Sequence, residues 1–201
     1  MANFYESWLG FWDESNANKS ASRAVIHEEE LEWVETEQDT RTALLAAPEN
    51  GFATWGSEYL ISEIGPGWHT GKHEHGEEAI YIVEGEGFSA VNGVKYAWNK
   101  GSCLWMPFGS QHQHFNTGSR RARYLALGYG ARGEAPGLFA PYAGSGNADV
   151  SIKDGGMQVE YPDENPMVLD MFEEDCIKHG AMPAMRSYFP NRKQFPVKLP
   201  E

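Results

Sequence analysis

His73 and His75 stand one residue apart in "GKHEHGEEAI", with Glu77 and Glu78 directly behind them. His112 and His114 repeat the one-residue gap in "SQHQHFN". In an extended strand, residues i and i+2 project from the same face. Each pair therefore presents two imidazoles to one side, and two neighbouring strands would bring three or four of them to one point beside a carboxylate. Imidazole and carboxylate donors suit Fe(II), Mn(II), Ni(II), Cu(II) or Zn(II). Thiolate-bound structural zinc is excluded, because Cys103 and Cys176 stand alone and far apart.

The elements around these histidines read as strands. "FATWGSEYLISEI" is a strand candidate, and "AIYIVEGEG" is another that ends in a glycine turn. "FSAVNGVKYAW" is a hairpin, since Asn92-Gly93 between β-prone runs favours a type I′ turn. "SCLWMP", "QHQHFN" and "RARYLALGYG" supply three more strands. Closely spaced short strands with such turns predict a sandwich or barrel over about 52–130. Upstream, Phe4, Tyr5, Trp8, Leu9 and Trp12 form a helical stripe, followed by a polar loop at "DESNANKSAS". "AVIHEEELEWVE" and "RTALLAA" read as strand-like lead-ins. Glycine and proline dominate 130–147, a long loop. Met167, Val168, Met171, Phe172 and Cys176 then recur at helical spacing, with Pro166 at the start and Gly180 just past the end.

At the motif level the chain resembles the cupin superfamily. Gly67-x5-His73-x-His75 followed by Glu78-x6-Gly85 is similar to the first cupin motif. Gly101-x5-Pro107-x-Gly109-x2-His112-x3-Asn116 matches the second at every defined position. What the resemblance implies is a double-stranded β-helix, or jelly roll, mainly β, with helical N- and C-terminal segments. It also implies one divalent metal held by His73, His75, His112 and usually a glutamate. Counting back from Gly85 selects Glu78. Counting forward from His75 leaves Glu77 and Glu78 open, because only Gly76 and Glu77 precede Glu78. Some ring-cleaving members hold iron with three histidines alone, so a site without carboxylate is the alternative.

The remaining residues carry weaker expectations. His114 is read as a catalytic group hydrogen-bonding near the substrate, His69 as a residue at the barrel mouth, and His27 and His179 as surface or structural. Trp55, Tyr59, Phe88, Tyr96, Trp98 and Trp105 are expected in the core, and "RRAR" at 120–123 on a solvated edge.

Composition limits the partners. Sixteen Lys+Arg against 29 Asp+Glu leave a net charge of −13, which repels nucleic acid and anionic lipid. Two isolated cysteines fit a reducing compartment. The acid-bearing start lacks a basic leader and no apolar run reaches spanning length, so a cytoplasmic protein is expected. One cupin domain over 1–201 is expected, its extensions 1–51 and 131–201 packing on the barrel. A homodimer is the family-typical assembly.

The functional expectation is a metal-dependent oxidoreductase resembling gentisate-type non-haem dioxygenases. Fe(II) is the first choice of metal, with Mn, Ni or Zn as alternatives. The substrate would be a small aromatic or enol-type hydroxy acid, with O2 as co-substrate and Glu78 and His114 as catalytic groups. A second class keeps the metal as Lewis acid in an isomerase, lyase or decarboxylase, with Tyr81, Tyr129 or a glutamate as base. A third class is a non-enzymatic small-molecule-binding cupin.

Overall fold

The computed structural model describes residues 4–35, 41–54, 57–75, 77–107, 109–129, 159–161 and 164–184. The loop expected at 130–147, Trp55 and Gly76 lie outside them, as do the side chains of Trp8, Leu9, Trp12 and Tyr129. Among the described residues ten strands form two five-stranded sheets. The first sheet orders β1 (Arg41–Ala46), β2 (Ser57–Ile64), β9 (Ala122–Tyr129), β4 (Glu78–Glu84) and β7 (Cys103–Met106) side by side. The second orders β10 (Val159–Tyr161), β3 (Lys72–Glu74), β8 (His112–Asn116), β5 (Glu86–Val91) and β6 (Val94–Asn99). Every pairing is antiparallel, and the two-sheet arrangement is the jelly roll the motifs imply. β1 and β10 fall outside the 52–130 span expected for the barrel, yet each is hydrogen-bonded into a sheet.

Period-two alternation explains which residues fill the space between the sheets. In β4, Ile80 and Ile82 are fully buried while Tyr81 between them is 48% exposed. They join Ile64, Val91, Trp98, Met106, Ala122, Tyr124 and Ala126 in one apolar cluster drawn from both sheets. Burying each large side chain contributes about 1.5–3 kcal/mol. The Asn92-Gly93 turn forms as its composition predicts, with φ of 49° and 79° and Val91 paired with Val94. Both values lie in the left-handed region that a type I′ turn needs.

The second sheet is covered on its outer face as well. Helix α2 (Pro166–Lys178) starts at the Asn165 cap, whose side chain accepts from the Met167 amide, and carries Pro166 in its first turn. It buries Val168, Leu169, Phe172 and Cys176 against Phe88, Ala90 and Phe115. Phe88 and Phe115 stack at 4.6 Å, and Phe172 meets Phe115 at 5.3 Å. The helix is the one expected, but its face is shifted. Met167 is 74% exposed, because Val168, Phe172 and Cys176 form the i, i+4, i+8 stripe, flanked by Leu169 on the side away from 167.

Several expectations are corrected. Helix α1 spans Phe4–Ala21, so it continues through the polar stretch read as a loop. Alanine and lysine propagate a helix well enough that polarity alone does not end it. "AVIHEEELEWVE" is not a strand: Glu28–Glu30 form a 3₁₀ turn, and a single bridge joins Val34 to Thr42. Tyr59, Tyr96 and Trp105 are 44%, 46% and 61% exposed. Tyr59 and Trp105 have the opposite parity to buried Ile64 and Met106 and so face outward, whereas Tyr96 shares the parity of buried Trp98 and is left open on the edge strand β6. Phe88 and Trp98 are buried, Phe88 under α2 and Trp98 in the barrel.

"RRAR" is no solvated edge. Glu63 is fully buried on the first sheet and accepts from Arg41 Nε at 2.7 Å and Arg123 Nε at 2.5 Å, with Arg121 Nη1 at 3.6 Å. Arg123 also reaches Glu28 at 2.7 Å. Both Arg41 and Arg123 lie over the Trp33 ring, at 4.5 and 5.6 Å. This network ties residues 28–35 to the sheet. A buried carboxylate is tolerated only with such partners.

Candidate metal centre

His73 is the middle residue of β3 and pairs directly with His112, the first residue of β8. His75 lies one residue beyond β3, and Glu78 opens β4 in the other sheet. β3 and β4 belong to different sheets, and the Glu78 side chain at the start of β4 reaches the histidines of the other sheet. Across the strands, Pro107 follows the end of β7 and Gly109 adopts φ 68°. The Gly109 amide donates to the His75 carbonyl at 3.0 Å. The turn that starts β8 therefore also holds the end of β3, and it needs a residue free to take positive φ.

The side chains converge. The Nε2 atoms of His75 and His112 are 3.2 Å apart. A Glu78 carboxylate oxygen lies 3.7 Å from the first and 3.8 Å from the second. The His73 ring sits 4.3 Å from that of His112 and 5.1 Å from that of His75, centre to centre. One donor atom from each of His73, His75 and His112 lies within 4.8 Å of the others, and Glu78, His112 and His114 form an overlapping group on the same criterion. His114 follows His112 on the same face of β8. Glu77 is exposed and takes no part.

This donor set fits a divalent metal. His73 Nδ1 is 2.9 Å from the Gly71 carbonyl, and His112 Nδ1 is 2.8 Å from the Ser110 carbonyl. A carbonyl only accepts, so each Nδ1 carries a proton and each Nε2 offers a lone pair. Burial, reinforced by neighbouring imidazoles, holds His73 and His112 well below the usual histidine range, so both are neutral, as ligands must be. Burial pushes the Glu78 carboxyl up to about 7, which a cation beside it would reverse. Two nitrogens bound at about 2.0–2.1 Å to one ion would stand about 2.9–3.3 Å apart, and the His75–His112 separation falls in that interval.

His69 is not at the mouth. It is fully buried behind the second sheet, 5.0 Å from the Phe115 ring and 5.6 Å from that of Phe172. Gln113 contacts it at 3.0 Å and also reaches Glu164 at 3.1 Å. His27 and His179 are exposed, and His179 Nδ1 lies 3.0 Å from the Thr117 hydroxyl. Tyr81 points away from the centre on the outer face, which removes it as a base. Sequence reading missed the roles of Ser89, whose hydroxyl lies against His114 Nδ1, and of Trp98, whose indole donates to that hydroxyl. The available signal was the serine itself, a lone polar residue within the apolar run "FSAV".

Comparison with known proteins follows the same stretch. Residues 60–128 match the family model described as Cupin domain. No curated protein matches the chain. Among solved structures, the polyketide cyclase RemF from Streptomyces resistomycificus is 18% identical, with 53% of this chain and 79% of that one covered and a TM-score of 0.47. A predicted oxalate decarboxylase from Thermotoga maritima is 23% identical, with 53% and 98% covered and a TM-score of 0.44. A cupin 2 conserved barrel domain protein from Rhodopseudomonas palustris is 20% identical, with 55% and 81% covered and a TM-score of 0.44. Residues 60–128, the stretch similar to the Cupin domain model, contain His73, His75, Glu78, His112 and His114.

Proposed function

We propose that this protein is a metal-dependent oxidoreductase, a non-haem Fe(II) dioxygenase of a small aromatic or enol-type hydroxy acid. The observation that carries the reading is the convergence of His73, His75, His112 and Glu78 at one end of an apolar barrel. When bound, Fe(II) supplies Lewis acidity and one-electron chemistry with O2. His73, His75 and His112 would hold it, with Glu78 as the carboxylate. The chain's own contribution is to orient, to exclude water and to handle a proton. Ile80, Ile82, Met106 and Tyr124 give the interior an apolar wall, suited to a flat aromatic or enol body. Among the described residues no lysine or arginine is buried. An acidic group on the substrate is therefore best accommodated at the histidine end, where a cation would face it.

Glu78 is the residue placed to take a proton from a substrate hydroxyl. Its carboxylate oxygen lies 3.7 and 3.8 Å from the His75 and His112 Nε2 atoms, where a bound cation would keep it ionised and able to accept a proton. The same property favours the second reading, an isomerase or lyase in which proton transfer is the whole reaction. Both readings are separated by supplying Fe(II) anaerobically, adding aromatic and enol hydroxy acids, and recording O2 uptake. Uptake matched to product carrying both oxygens of labelled O2 supports the dioxygenase. Product formed without uptake transfers the protein to the isomerase or lyase class.

A further inference from the structure

We infer that Ser89 and Trp98 lock His114 in the Nε2–H tautomer, so that it faces the centre as a hydrogen-bond donor to bound ligand oxygen and not as a further metal ligand. The inference deepens the proposed metal-dependent reading and rests on it for the nature of the ligand; the tautomer itself does not.

Distance alone would leave His114 among the ligands. One of its donor atoms lies within 4.8 Å of both the Glu78 carboxylate and a His112 nitrogen, and the two imidazoles are 5.6 Å apart between centres. The hydrogen-bond pattern separates them. Ser89 stands directly opposite His114 in the β5–β8 register, and its Oγ is 2.7 Å from His114 Nδ1. Trp98 Nε1 is 3.0 Å from the same oxygen. An indole N–H can only donate, so Ser89 Oγ accepts from Trp98. The serine is fully buried, and a buried hydroxyl proton without an acceptor is disfavoured. Among the described residues the hydrogen-bond partners of the Ser89 hydroxyl are Trp98 and His114. Its proton must therefore go to His114 Nδ1, which then carries the lone pair. In a neutral imidazole this leaves the proton on Nε2.

His73 and His112 are set the other way. Their Nδ1 atoms face the Gly71 and Ser110 carbonyls, so their Nε2 atoms carry lone pairs. The cluster thus divides into imidazoles that can give electrons to an ion and one that can give a hydrogen bond beside it. The ligand class that fits is a small molecule with two adjacent oxygens, one for the ion and one to accept from His114: an α-hydroxy or α-keto acid, or an enediol. Ser89 and Trp98 act through His114 and are positioning residues.

The test begins with metal-free wild-type protein labelled with ¹⁵N-histidine and read by long-range ¹H–¹⁵N correlation, His114→Phe serving to assign the signal. We expect His114 to show a lone-pair Nδ1 and a protonated Nε2, with His73 and His112 showing the reverse. Protonation of His114 at Nδ1 overturns the inference. Co(II) then serves as the metal probe and acetate as the oxygen probe. Ser89→Ala should leave Co(II) affinity within about threefold and weaken acetate binding to the Co(II) protein about tenfold, the value of one hydrogen bond. Unchanged acetate affinity overturns the donor role. So does a Co(II) affinity lowered about 100-fold by His114→Phe with its unfolding curve unchanged, since that is the loss of a ligand. Because the tautomer is read without metal, failure of the wild type to bind Co(II) would count against the metal reading and leave the tautomer standing.

Discussion

The Nε2 atoms of His75 and His112 lie 3.2 Å apart although 37 residues separate them in the chain. No apolar force brings two imidazole nitrogens together in a buried place. The barrel does so by pairing His73 with His112 across β3 and β8, and the loop after β3 then carries His75 over the same point. Replacing any one of His73, His75 or His112 with Ala should lower divalent metal affinity at least about 100-fold. Isothermal titration with Co(II) measures the loss, and far-ultraviolet circular dichroism should retain its β-sheet signal. Three variants with wild-type affinity would remove the site from these residues.

The contrast between the two glutamates is sharper than their adjacency suggests. Glu78 approaches both His75 and His112 within 3.8 Å, whereas Glu77 is exposed. Glu78→Gln should weaken metal binding about 10- to 100-fold, and Glu77→Gln should change it little. The Glu78 carboxyl lies near pH 7 in the metal-free protein and must lose its proton to bind a cation. Wild-type affinity should therefore rise with pH through about 7, and this rise should flatten in Glu78→Gln. A loss confined to Glu77→Gln would transfer the role to that residue.

Acid should destabilise the metal-free fold well above the ordinary carboxylate range. Burial lowers His69 to about 4 and His114 to about 3, and holds His73 and His112 well below the usual histidine value. Between their folded and unfolded values, near 6.5, the unfolded chain binds protons that the folded one does not. Stability from these four groups is then complete above about 6.5 and falls as pH drops. Glu78, raised to about 7, works oppositely, because the folded state holds its proton from about 4.5 to 7. Four groups outweigh one, and each uncompensated proton is worth about 1.4 kcal/mol per pH unit. Urea midpoints recorded at pH 7, 6 and 5 should fall in that order; a rise on acidification would contradict the buried neutral histidines.

The outer face of the second sheet has an apolar cluster of its own, separate from the interior one. Phe172 is fully buried between α2 and Phe115, so Phe172→Ala should cost about 3–5 kcal/mol. Trp105, 61% exposed on the opposite sheet, should cost within about 0.5 kcal/mol when changed to Ala. Equilibrium urea unfolding compares the two. Equal losses would mean that the outer face of the first sheet is covered in solution.

Much of this arrangement is legible from local chemistry. The parity of His73 with His75 and of His112 with His114, the Asn92-Gly93 turn, and the Pro166 and Gly180 boundaries all act within a few residues. Alternation, however, defines two faces without saying which is inside. That is why Tyr59 and Trp105 are misread as core while Ile80 and Ile82 occupy it; Tyr96 shares the face of buried Trp98 but lies on the edge strand β6. His69, by contrast, is buried because α2, about 100 residues later, covers the outer face of its sheet. Glu63 meets Arg121 and Arg123 only through the β2–β9 pairing, and Ser89 meets His114 only through the β5–β8 pairing. Such contacts between distant segments leave no spacing to count.

The central claim is that His73, His75, Glu78 and His112 hold one catalytic divalent ion. Metal content of protein purified anaerobically, set beside a His73→Ala/His112→Ala double variant prepared identically, tests it most directly. The account predicts about one iron per wild-type chain and none retained by the folded double variant. Equal metal in both proteins, or a wild-type protein that neither contains nor takes up a divalent ion, would contradict it.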